Sequence, residues 1–398
     1  MFTFVTYPFQ MTSETLQTLF KIHKEKHLYH RYIQSEHIQP LLKKHQQHFK
    51  IKTIGSSVLS DAISVIKIGY GPTKILMWSQ MHGNESTTTK AIFDLCNVFA
   101  YENDDIIQSI LKQCTIAIIP MLNPDGAKAY IRLNANEVDL NRDAQDLSQP
   151  ESQVLRNYFN IFKPDFCFNL HGQRTIFNVG NTNKPATVSF LAPAQDEGCT
   201  ITETRKKAME IITVMNDSLQ LHIPNQVGIY DDTFNINCVG DTFQSLNVPT
   251  VLFEAGHFID DYPREIVRSF IFQSLFVAIH YIATNDISGN KFQAYFNIPQ
   301  NNKRFYDIII RNACIDIEAS EQITDIAIQY KECLVDGRIE FIPVVEQITN
   351  LDGFFGHREI DAKSQKVVSE KNEPIKVANE IVFALINNEK MTLKPKKI

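Results

Sequence analysis

Cysteine pairing, basic blocks, long apolar runs and targeting signals are all missing from this chain, and each absence excludes something. The seven cysteines (Cys96, Cys114, Cys167, Cys199, Cys238, Cys314, Cys333) are odd in number, scattered, and never spaced as CxxC. Several sit in apolar runs, such as Phe166-Cys167-Phe168. That pattern argues for reduced, buried thiols in a cytoplasmic protein and against a disulfide framework. Basic residues number 39 against 45 acidic ones, a net charge of −6 with no basic block. Sequence-independent nucleic-acid binding is therefore not expected. No apolar run approaches the ~20 residues of a membrane span, so no membrane partner is expected either. The N-terminus lacks a charged region followed by an apolar one, and neither end carries a lipidation motif. No repeat or low-complexity segment is visible.

What is present is ample core material. Hydrophobic residues make up 43% of 398 residues, with 27 Phe and 13 Tyr. A disordered chain is excluded, and the length suits two domains or one large domain with an appendage.

The polar stretch 12–49 reads as helical. Short strands are predicted at 51–54 and 62–68, and an almost continuous apolar strand at 74–79 suits a buried central position. A helix opens at Ser86, then strands at 115–120, 166–170 and 249–253 alternate with helices at 152–162, 205–219 and 263–281. The expected fold is α/β: a mixed, mainly parallel central sheet flanked by helices. After about residue 286 helical spacing weakens. Runs at 306–311, 323–330, 338–345 and 376–385 predict a smaller, mostly β C-terminal domain. The boundaries read as 1–286, with 1–49 as its N-terminal helical segment, and 287–398. The tail Met391–Ile398 reads as a frayed end.

Ligands in open α/β sheets sit in loops after the carboxyl ends of strands. Three such ends carry groups able to bind metal: Met81-His82-Gly83-Asn84-Glu85, Asn169-Leu170-His171-Gly172 and Phe253-Glu254-Ala255-Gly256-His257. Two imidazoles and one carboxylate leave a tetrahedral zinc an open fourth position. Between them lie Asn123-Pro124-Asp125-Gly126, a turn by its own chemistry, then Arg132-Leu133-Asn134 and Val138-Asp139-Leu140-Asn141-Arg142-Asp143. The arginines offer guanidinium forks for a carboxylate or an oxyanion.

HxxE, NPDG, RxN, DLNR, LHG and FE, in that order over residues 50–282, resemble the zinc metallocarboxypeptidases of the M14 type and the related amino-acid deacylases. The resemblance implies one zinc per chain, held by His82, Glu85 and His171. It implies Arg132 as the group polarising the scissile carbonyl and Glu254 as general base. Asn141 and Arg142 match the pair gripping a substrate carboxylate, and Tyr230 is the nearest match to the substrate-capping tyrosine. The implied activity is hydrolysis of a C-terminal peptide bond. The alternative is deacylation of N-acyl amino acids or cleavage of cell-wall peptides, and the minor alternative is a non-catalytic zinc-binding scaffold. The implied partner is a peptide or acyl-amino-acid with a free carboxylate; the oligomeric state is not implied.

Two positions depart from the family pattern: Glu137 where glycine is frequent, and Ala144 where an aromatic is frequent. Asp241 reads as a turn residue or as lining a specificity pocket. His257 reads as a buried imidazole or a contact near the site, and Trp78 as core. Asp139 and Asp165 are candidates to orient the histidines. Six histidines crowd the N-terminal stretch, and His23, His27 and His30 are expected on one solvated helix face.

Overall fold

The structure is a computed structural model and describes residues 12–317 and 320–395. In chain order, β1 (Lys50–Ser56), β2 (Ala62–Gly69), β3 (Thr73–Ser79), β4 (Cys114–Ile119), β5 (Phe166–Gly172), β6 (Phe177–Val179), β7 (Val188–Leu191), β8 (Val227–Ile229) and β9 (Thr250–Ala255) precede residue 286. All but β6 join one eight-stranded sheet in the order β1-β2-β4-β3-β5-β9-β7-β8. Its centre, β4-β3-β5-β9, is parallel, whereas β1, β2 and β7 add antiparallel pairings. Ile75–Trp78 of β3 are fully buried. Burying a large apolar side chain contributes about 1.5–3 kcal/mol, so the central strand anchors the site loops that leave its end.

The helices are α1 (Ser13–His23), α2 (Ser35–His45), α3 (Thr87–Tyr101), α4 (Asp105–Gln113), α5 (Pro124–Ala129), α6 (Pro150–Phe162), α7 (Glu203–Gln220), α8 (Val239–Ser245) and α9 (Glu265–Thr284). Contrary to the expectation of no apolar run near membrane length, α9 is long and apolar enough to span one. Its apolar length is instead mostly buried, packed on α3 and α7.

The N-terminal segment is not one helix over 12–49. Two helices flank an extended stretch whose carbonyls are claimed by partners elsewhere. Arg268 donates to Glu25 O (2.8 Å) and Leu28 O (2.5 Å), Asn97 to His23 O (2.9 Å) and Gln80 to Ile33 O (2.7 Å). Helical hydrogen bonding would compete for the same carbonyls. The histidines do not share a solvated face either. His23 and His45 are buried, His23 against Glu102 at 2.5 Å, while His27 is exposed.

Beyond residue 298 every regular element among the described residues is a strand. Strand β10 (Asn301–Lys303) pairs with β6. Then β11 (Phe305–Ile317), β12 (Ser320–Val335), β13 (Arg338–Thr349) and β14 (Phe355–Asp361) form a sheet ordered β13-β12-β11-β14. A smaller sheet joins β15 (Val367–Ser369), β16 (Phe383–Ile386) and β17 (Glu389–Thr392). The run 376–385 is therefore strand only from Phe383. Of the tail, Met391 and Thr392 belong to β17 and Leu393 is fully buried, so the end is not frayed there; residues 396–398 lie outside the described residues. Tyr130 and Tyr262 pack into the core of this β region, and Tyr262 OH donates to Asp307 at 3.0 Å.

Candidate metal centre and active site

The three motifs leave the carboxyl ends of β3, β5 and β9, and the β5–β9 register sets His171 opposite Glu254. The first loop is shaped by backbone demands. Gln80 leaves β3 with φ +49, and its side-chain amide spans to Gly83 O at 2.8 Å and Ile33 O at 2.7 Å. Gly83 lies so close to Gly126 that a Cβ would stand 1.9 Å from the Gly126 carbonyl carbon. Only glycine permits that approach. Asn123-Pro124-Asp125-Gly126 is the first turn of α5 rather than a simple turn. Asn123 caps it at Gly126 N (2.9 Å) and also ties Met81 O (3.1 Å) and Leu133 O (3.1 Å).

His82, Glu85 and His171 converge, their ligand atoms all within 4.8 Å of one another. The His82 and His171 Nδ1 atoms lie 3.1 Å apart, and Glu85 reaches them at 2.8 and 2.9 Å. His82 Nε2 faces the Asp139 carboxylate at 3.1 Å, which sets Nε2 as the donor and leaves a lone pair on Nδ1. Two imidazole nitrogens and a carboxylate aimed at one point need a shared proton or a metal cation among them. This donor set fits zinc.

The electrostatics agree. Burial raises the Glu85 pKa, but the neighbouring imidazoles outweigh it and hold the carboxyl below its ordinary range. Burial disfavours the His82 cation, yet Glu85 and Asp139 raise its pKa, whereas for His171 burial dominates and lowers it. Asp139 also accepts from Arg132 (3.1 Å from Nε, 3.0 Å from Nη2) and from Asn141 N (2.9 Å), so it orients two site residues at once. Asp165 orients neither histidine. It accepts from Lys74 N at 2.7 Å, at the opposite end of the sheet.

A cavity of about 1230 Å³ opens over this group. Glu254, Arg132, Asn141, Arg142 and Tyr230 all line it. Glu254 is raised well above an ordinary carboxyl by burial and by Glu85, and its Oε2 has no protein partner. Arg142 is exposed, with Nη1 on Asn141 O (2.7 Å) and Cys238 Sγ (3.1 Å). The Asn141 Oδ1 accepts from Val239 N at 3.0 Å. Tyr230 follows β8, and its hydroxyl donates to Gln173 Oε1 at 2.6 Å.

Other expectations resolve differently. Asp241 sits in the first turn of α8 and lines the cavity, its pKa pushed up by burial to about 6. Glu137 has φ +60, the left-handed region that favours glycine. Ala144 is buried in the core beside Leu140 and Phe243, away from the cavity wall. His257 is buried against His357 and Tyr262. Trp78 is fully buried, as a core residue. Four further cavity residues, Arg31, Tyr130, Arg264 and Glu332, carry no local sequence signal and come from distant segments.

Residues 35–153 match the zinc carboxypeptidase family model. Carboxypeptidase SOL1 of Arabidopsis thaliana is 30% identical over 147 residues, covering 32% of this chain and 30% of that protein. Gamma-D-glutamyl-L-diamino acid endopeptidase 1 of Lysinibacillus sphaericus is 35% identical over 85 residues, covering 20% and 22%. The matched stretches thus span under a third of either relative's length. In fold, the chain is similar to carboxypeptidase A from Helicoverpa armigera, with TM-score 0.50 and 15% identity over 68% of this chain and 80% of that one.

Proposed function

We propose that this chain is a member of the zinc carboxypeptidase family and hydrolyses the amide bond that joins a residue with a free carboxylate to its acyl group. In the first reading the substrate is a peptide and the product its C-terminal residue, in a cytoplasmic setting suited to seven free thiols. The observation that carries this is the convergence of His82, Glu85 and His171 under a cavity that also presents Glu254 and Arg142.

His82, Glu85 and His171 would hold one zinc. When bound, zinc supplies Lewis-acid polarisation of a carbonyl and acidifies water. Glu254, with an unshared oxygen at the cavity wall, takes a proton from the attacking water and returns it to the leaving nitrogen. Arg132, held by Asp139, faces the developing oxyanion. Arg142 and Asn141 take the terminal carboxylate and so select the bond that meets the water.

A deacylase reading has one specific support: Tyr330, Lys331 and Glu332 of β12 border the cavity, so the C-terminal β region contributes to its wall. Both readings require the same test. Glu254→Gln should retain one zinc per chain by metal analysis and lose about 10²–10⁴-fold in turnover. Near wild-type turnover would show that Glu254 is not the base. Equal cleavage of a C-terminally amidated peptide would overturn the free-carboxylate requirement.

A further inference from the structure

At one end of the cavity lies a group that the proposed chemistry does not use. Arg31 comes from the extended stretch between α1 and α2, and Arg264 directly precedes α9; they are 8% and 2% exposed. Arg31 Nη2 meets Glu332 at 3.0 Å, and Tyr130 OH donates to the same carboxylate. Arg264 gives its two Nη groups to Ala255 O (2.8 Å) and Gln173 O (3.0 Å), just beyond Glu254 and His171.

The donors outnumber the acceptors. Arg31 Nε and Nη1 and Arg264 Nε have no protein partner. Among the described residues the carboxylate in direct contact with this pair is Glu332, on Arg31. The nearby Asp261 is engaged: its oxygens accept the amides of Glu265 (2.8 Å), Ile266 (2.9 Å) and Val267 (2.9 Å). Burial, then the Arg31 charge, pulls the Arg264 pKa down to about 10, whereas Glu332 and Tyr130 outweigh burial and raise that of Arg31. Leaving charged donors buried and unmatched is costly, so the arrangement calls for an anion from outside.

This end is separate from the carboxylate grip. Arg142 is partnered by Asn141 and Cys238 and acts on Asp241, whereas Arg31 is set against Glu332, Tyr130 and Asp261. Arg264 lies close enough to act on the Glu254 charge, whereas Arg142 acts on Cys238 and Asp241.

We propose that Arg31 and Arg264 form a second anion subsite, on the acyl side of the scissile bond, that takes a carboxylate carried by the acyl portion of the substrate. This rests on the proposed hydrolysis of an amide next to a free carboxylate. The planar fork of Arg31 suits a carboxylate bidentately. The carboxylate can belong to an acidic residue preceding the bond or to a dicarboxylic acyl cap.

The test compares kcat/KM for matched pairs sharing one C-terminal residue: glutamyl against glutaminyl dipeptides, and succinyl against butyryl amino acids. The acidic member of at least one pair should be favoured by about tenfold or more, an energy of one charge-assisted contact. Preference in the first pair assigns the carboxylate to a peptide side chain, and preference in the second to the cap. The preference should fall to near one in an Arg31→Met/Glu332→Met variant. Arg31→Lys, which keeps the charge and loses the fork, should lower it as well. Calorimetric binding of the favoured substrate to the Glu254→Gln protein should weaken likewise when Arg31→Lys is added. Equal turnover within both pairs overturns the subsite and leaves the hydrolase reading standing. A screen in which no free-carboxylate amide is cleaved fails the hydrolase reading, and calorimetry then decides the subsite: equal binding within both pairs overturns it.

Discussion

Two buried arginines flank the N-terminal segment and are treated in opposite ways. All the N–H groups of Arg268 are placed. Asp94 takes Nε (2.7 Å) and Nη2 (2.5 Å), Glu25 O takes Nη2, and Leu28 O and Glu265 (3.2 Å) take Nη1. Arg31, on the segment itself, has one partnered nitrogen and two without partners. Both are nearly inaccessible. The closed cluster bolts the segment to α3 and α9; the open one faces a cavity. The contrast teaches that burial alone does not mark function. Unspent hydrogen-bonding capacity at a cavity wall does.

The largest effect expected from this contrast is on stability. Removing one partner of a fully buried pair typically costs about 3–5 kcal/mol. Arg268→Met should therefore lower the unfolding free energy by about that much in urea titrations. It leaves Asp94 buried and charged, and it releases the carbonyls that keep residues 24–34 extended. An Arg31→Met variant that cost as much would erase the distinction between the clusters.

A second effect separates closed structural burial from the site by pH. His45 is fully buried, stacks on Phe49, and neither ring nitrogen has a protein partner. Burial, aided by Lys44, lowers its pKa to about 4 from 6.5. The unfolded chain binds the proton more readily, so this stability is present above pH 6.5 and is lost as pH falls toward 4. The full loss is about 3 kcal/mol at about 1.4 kcal/mol per unit. His30 and His357, also lowered to about 4 by burial, act in the same direction. Glu25 and Glu265, lowered to about 2, lose their contribution only below about pH 4.5, so the windows are distinct. Denaturation midpoints across pH 4–7 should fall less steeply in His45→Leu; an unchanged slope would remove His45 as a cause.

The same contrast explains what can be read from the chain alone. The positions of His82, Glu85, His171 and Glu254 are legible because each follows an apolar strand, but their reading as one set comes only from the ordered motifs and the family these resemble. Asn141 and Arg142 are legible because their motif sits between two such strand ends in a fixed order. Arg31, Tyr130, Arg264 and Glu332 are not, because residues so far apart meet only through tertiary packing, and no local pattern distinguishes a buried arginine from a solvated one. The N-terminal helix reads too long from sequence because propensity cannot register that Arg268, Asn97 and Gln80 claim its carbonyls. Likewise the polar neighbours of His23 and His45 give no hint that both are buried.

The smallest effect returns to the open cluster. Glu332→Gln keeps an acceptor oxygen for Arg31 and Tyr130 and removes the carboxylate charge that contacts Arg31. Glu332 retains partial exposure, its side chain being 25% accessible, so solvent screens part of the change. The loss should be about 1 kcal/mol in a buffer without small carboxylates. Added succinate should restore it, because binding to the folded state alone stabilises by mass action, about 1.4 kcal/mol at ten times Kd. Asp94→Asn, in the closed cluster, should show no such recovery, since Arg268 is fully buried and does not line the cavity. Thermal midpoints of both variants, with and without succinate, measure the difference directly. Equal recovery in both would mean that the anion acts on the protein in general, and the distinction between a spent and an unspent arginine would fail.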